Sequence, residues 1–124
     1  MKPARWLIIL GSLILFLGGL LHLLGYSRII PVLVAAGMDA TIVGAFKAVW
    51  LAFSIQFLVL APAFIWIGRR PGARSLLLFL ALVPVLDAIL MYYFVGRFIG
   101  SYIVSAGAAL VIIGAWLLPQ TDTK

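Results

Sequence analysis

Three ionisable side chains interrupt otherwise apolar stretches of the chain: His22, Lys47 and Asp87. An imidazole, an ammonium and a carboxylate can move protons, hold an anion or orient the polar head of a ligand. Inside hydrocarbon each is costly, so each faces a partner, water or the interior of a helix bundle. Asp87 either pairs with Lys47 or His22, or serves as a proton- or ligand-binding carboxylate. His22 is a ligand-orienting group or a hydrogen-bonded structural histidine, and one histidine makes no metal site. Lys47 either joins the same site or snorkels to the headgroups. Tyr26, Tyr92, Tyr93 and Tyr102 fall near one level and form a pocket rim or an interfacial aromatic belt.

Other chemistry can be set aside. The chain has no phosphate-binding glycine loop followed by Lys-Ser/Thr, and a single histidine excludes a paired-histidine zinc motif. Ser54, His22 and Asp87 would have to meet from different depths to form a nucleophilic triad. The absence of cysteine removes disulfides, thiolate nucleophiles and dithiol reduction of quinones.

The elements that position these residues follow from composition. Of 124 residues, 66% are hydrophobic and 10% are charged. Soluble domains are about half apolar and about a quarter charged. The solvent for this chain is therefore a lipid bilayer. About 20 apolar residues cross a hydrocarbon core as a helix. The expected fold is all-α: an antiparallel bundle of four transmembrane helices in one integral membrane domain, residues 1–124. The helices are expected at about Trp6–Tyr26, Gly44–Gly68, Ser75–Val95 and Tyr102–Leu118. The basic N-terminus precedes a run too long for a signal peptide with no cleavage site after it, so it reads as a retained first helix.

Arg69 to Arg74 and Gly96 to Ser101 are short turns. Ser27 to Val43 is longer and largely apolar, interrupted by Pro31, Gly37 and Asp39. It is expected either as a short interfacial or re-entrant segment or as a hydrophobic loop packed on the bundle. The segment from Pro119 to Lys124 is a short polar tail. One side of the membrane carries Lys2, Arg5, Arg69, Arg70, Arg74 and Lys124, and the other carries Arg28, Lys47 and Arg97. Basic loops stay in the cytoplasm, so both termini are expected there. The net charge of +6 then orients the chain and does not indicate nucleic acid.

With that topology, His22, Lys47 and Asp87 all fall in the outward half of the membrane, and the inward half has no comparable set. Asp87 lies about 12 Å from the outer end of its helix at the usual rise. Lys47, Trp50, Ser54 and Ala61 share one helical face, and Gly11, Gly18, His22 and Gly25 share another. Faces that mix small and polar residues pack inward in membranes. Gly100, Gly107 and Gly114 read as a helix-packing seam. Pro62 and Pro84 lie inside helices, and a kink at Pro84 could free a carbonyl beside Asp87. Gln56 points off the Ser54 face, toward another subunit or a lipid headgroup.

The stretch Gly18-Gly19-Leu20-Leu21-His22-Leu23-Leu24-Gly25, closing a first helix and followed by a Pro-bearing loop, resembles small bacterial DoxX-like membrane proteins. The resemblance implies a four-helix bundle in the bacterial inner membrane. Some members of those families are subunits of quinone-linked oxidoreductase complexes. His22 is the one position that maps. Small multidrug transporters also have four helices but depend on a carboxylate in the first helix, which is absent here.

Three functions are open on these grounds. The first is an accessory or binding module that holds a hydrophobic ligand, lipid or quinone-like, or a partner membrane protein, through an outward pocket of His22, Lys47, Trp50, Asp87 and Tyr92. The second is a proton-coupled homo-oligomeric transporter that uses Asp87. The third is a membrane enzyme acting on a lipid or isoprenoid, with Asp87 and His22 as acid and base. The sequence identifies no cofactor and no catalytic residue.

Overall fold

The computed structural model describes residues 2–119, the Lys2 side chain excepted; Lys124 and the rest of the polar tail after Pro119 lie outside them. The described chain is helical and contains no strand. Its elements are α1 (Lys2–Ala35), α2 (Ala40–Ile67), α3 (Arg74–Phe94) and α4 (Ile99–Trp116). Each is long and apolar enough to cross a membrane. Exposed Leu, Ile, Val and Phe side chains along all four helices suit a bilayer environment.

The apolar stretch after Tyr26 forms no short segment of its own: α1 continues through it to Ala35. Pro31 deletes one backbone donor, yet α1 runs through it. The helix ends at Gly37, whose φ of 71° is the left-handed region that a side chain disfavours. Gly96 ends α3 in the same way, with φ of 88° and its N–H donating to the Met91 carbonyl at 3.0 Å. The connection between α1 and α2 is thus residues 36–39. α2 opens at Ala40, four residues earlier than Gly44, capped by Asp39, whose carboxylate accepts from the Thr41 N–H at 2.8 Å. That bond, with lesser help from Ile42, holds the exposed carboxyl below its ordinary range.

α1 is the central helix. It packs along α2 on one side and α4 on the other; α3 leans on α4, and α2 and α3 barely touch. The seam between α1 and α4 is built from glycine. A Cβ on Gly11 would lie 2.7 Å from the Gly107 carbonyl, and one on Gly114 would lie 2.8 Å from the Ala4 carbonyl. The two backbones therefore approach closely, which is how membrane helices gain packing without a hydrophobic driving force. Gly100 does not belong to this seam; its neighbours are Phe98 and Met91.

Gly18 meets Ile103 of α4, so the start of α4 at Ile99 lies near the level of His22. α1 has 34 residues, about 51 Å against a hydrocarbon core of ~30 Å. Its last turns and the opening turns of α2 overhang the α3–α4 end. Val32, Val34 and Ile42 are exposed on this overhang, at 61%, 59% and 53%.

Candidate functional site

The polar centre of the bundle forms where α1 meets α2. His22 Nδ1 lies 2.9 Å from Ser54 Oγ, and Ser54 Oγ lies 3.1 Å from the Trp50 carbonyl. The Trp50 indole N–H donates to the His22 backbone carbonyl at 2.7 Å. That carbonyl has a second lone pair beyond its helical bond, so it accepts without breaking α1. The imidazole stacks on the indole, with centroids 4.0 Å apart at 14°. Phe53 tilts against the imidazole at 5.0 Å and meets Phe57 edge-on at 4.8 Å. Gly25 makes room for the stack, because a Cβ there would lie 3.1 Å from Trp50 Cζ2.

The Ser54 hydroxyl carries one proton and reaches two acceptors. If it donates to the Trp50 carbonyl, Nδ1–H donates to Ser54 and Nε2 is left as an acceptor. If it donates to Nδ1, Nε2 carries the proton and is left as a donor. Nε2 has no protein partner among the described residues, and it is not a buried unpaired atom, so it stays accessible. The pair can therefore present one hydrogen-bonding group of either sense.

Two cavities flank this stack. One, of about 250 Å³, runs from His22, Trp50 and Phe53 to Phe98, Ile103 and Val104 of the α4 end. The other, of about 140 Å³, is walled by His22, Trp50, Phe53, Phe46, Val49 and Met91. Both are almost wholly apolar in lining. A void of about 150 Å³ takes a benzene ring. The larger cavity is thus of the size for one substituted ring, and a longer ligand would have to leave between helices.

The structure brings together only part of the expected set. His22 and Trp50 meet, and Ser54 joins them. Asp87 contacts neither: its Oδ2 accepts from the Gln56 side-chain N–H, and it lines neither cavity. The expected Asp87–Lys47 or Asp87–His22 pair is replaced by this bond, which crosses the gap between α2 and α3. Gln56 accordingly turns to α3 of its own chain and not to another subunit or a headgroup. The carbonyl deprived of its donor by Pro84 is that of Leu80, two turns before Asp87, so it is not beside the carboxylate. Lys47 is half-buried in α2 outside both cavities. Tyr92, 38% exposed, meets Tyr102 edge-on at 6.1 Å, also outside them.

Apart from Trp50, sequence reasoning missed the aromatic wall. Trp50, Phe53 and Phe57 recur at steps of three and four, the spacing of one helical face. That signal was present, but an apolar helix offers many such stripes. Phe98, Ile103 and Val104 reach the cavity only through the register of α4 on α1. Among the described residues no three His, Cys, Asp or Glu side chains gather as a metal site would require. No family model, curated protein or solved structure matches this chain.

Proposed function

We infer that the protein is a small membrane binding module whose cavity beside His22 holds the ring-sized head of a hydrophobic ligand, lipid-like or quinone-like. One observation carries this reading: an apolar void of about 250 Å³ bordered by a single imidazole whose Nε2 has no hydrogen-bond partner among the described residues. Ligand sites are mostly apolar with a few placed polar groups, and this one has that composition at the scale of one ring. Ser54 sets the imidazole and lets it accept from a hydroxyl or donate to a carbonyl. Asp87, Lys47 and Tyr92 stand outside the cavity, which removes them from the ligand's first contacts. The transport and lipid-enzyme readings both require Asp87 beside the ligand, and its bond to Gln56 gives them no support.

The contact order of the helices supports an antiparallel bundle: Ala4, Gly11 and Gly18 of α1 meet Gly114, Gly107 and Ile103 of α4. The basic residues at the Arg5–Arg69 end support a cytoplasmic placement of both termini, and the resemblance in the first helix supports a bacterial inner membrane. The overhang of α1 and α2, with Val32, Val34 and Ile42 exposed, favours a second element of the reading: a partner membrane protein covering those residues, as in an accessory subunit.

The ligand reading is tested by titrating the purified protein with a short-tailed benzoquinone, following Trp50 fluorescence in a chain whose other three tryptophans are Phe. Saturable quenching, weakened at least about tenfold by His22→Leu through loss of a hydrogen bond in an apolar site, is expected. Linear quenching of equal slope in both proteins would refute the quinone-like class.

A further inference from the structure

A second pair of cavities lies at the opposite end of the bundle. Each is about 260 Å³, and they share Arg5, Gly68 and Arg69. From these residues one extends along Ile8, Ile9 and Ile65, toward the apolar flank of the bundle. The other passes over the turn of Arg70 to Ala73 toward Leu118. The combined tract is cationic at its middle and apolar along the Ile8, Ile9 and Ile65 arm.

Four arginines lie at this end, and they divide into two kinds. Arg70 stacks on Trp66 at 3.8 Å, and Arg74 lies over Trp116 at 4.3 Å. Arg5 and Arg69 make no such stack among the described residues, and both line both cavities. Of the three acidic residues in the chain, Asp39 caps α2 at the other end and Asp87 bonds to Gln56; Asp122 lies outside the described residues. The N-terminus of α3 opens on the second cavity through Ala73, a cap with no side-chain hydrogen bond. Its free amides and dipole add positive potential there.

We propose that this tract is a binding site for an anionic phospholipid, its phosphate held between Arg5 and Arg69 and one acyl chain lying against Ile9 and Ile65. A guanidinium pair above an apolar groove at the membrane edge matches both halves of that molecule, and basic pockets between membrane helices bind such headgroups. The site is separate from the His22 cavity and does not depend on it.

The test is native mass spectrometry of the whole protein in micelles holding equal amounts of phosphatidylglycerol and phosphatidylcholine with the same chains. The wild type is expected to retain phosphatidylglycerol in preference. Arg5→Gln with Arg69→Gln should cut that preference at least about tenfold, since each basic residue near an anionic surface contributes severalfold. Ile65→Trp, which fills the apolar arm with the charges intact, should also release the lipid. Arg28→Gln with Arg97→Gln, at the other end, should leave the preference unchanged. The idea is overturned if the wild type shows no preference, if the preference survives the Arg5 and Arg69 changes, or if the distal pair lowers it equally. Displacement by millimolar inorganic phosphate alone would also overturn it, by showing an anion site without a lipid.

Discussion

The His22 imidazole and the Trp50 indole lie face to face at 4.0 Å, and the same indole donates its N–H to the backbone carbonyl of His22 at 2.7 Å. One residue of α2 thus fixes both the ring and the main chain of one residue of α1. Trp50→Phe should keep a stacking ring and lose the hydrogen bond, at a cost of about 1 kcal/mol. Thermal unfolding in micelles measures it. A Phe variant as stable as the wild type would mean that the bond orients nothing.

The glycine seam makes a sharper prediction. Gly107→Val must push Leu15 and the Gly11 carbonyl away, since even a Cβ at Gly107 would lie 2.7 Å from Leu15 Cγ. Overpacking of this kind costs about 1–3 kcal/mol. Gly44→Ala meets nothing within 4 Å and should be neutral or stabilising. Equal effects of the two on unfolding would contradict the close approach of α1 and α4.

The Gln56–Asp87 bond closes the gap between α2 and α3. Gln56→Leu should leave the carboxyl unpartnered and destabilise by about 1–3 kcal/mol, whereas the double change to Leu should recover most of that loss. Unfolding of the three variants forms the cycle. A double variant as unstable as the single would assign Asp87 a role beyond bridging the helices.

Four apolar helices were legible because lipid demands satisfied backbones and long apolar runs, and this chain shows little else. Their ends were less so. Pro31 and the break at Gly37 look alike as letters, yet only Gly37 adopts a left-handed φ and stops α1. The pairing of polar residues was the least legible part. Depth along a helix predicts His22, Lys47 and Asp87 in one half of the membrane, but rotation about the helix axis decides contact. Asp87 turns to Gln56 and His22 turns to Ser54.

Asp39 gives a pH prediction. Its carboxyl is held low chiefly by the Thr41 backbone N–H. Because the folded-state pKa lies below the unfolded one, the cap contributes fully above the ordinary carboxylate range of about 4 and is lost as pH falls through the lower folded value. The Thr41 amide resonance should therefore titrate with a midpoint below that range, and Asp39→Ala should abolish the titration. A midpoint at or above the ordinary value would remove the cap.

The binding claim is tested most directly by extracting the protein in nanodiscs of its own membrane and weighing the intact complex. The expected result is the chain mass plus one retained small molecule, lost when Val104→Trp fills the cavity and reduced by His22→Leu. A bare chain, or a passenger whose retention Val104→Trp does not alter, would contradict it.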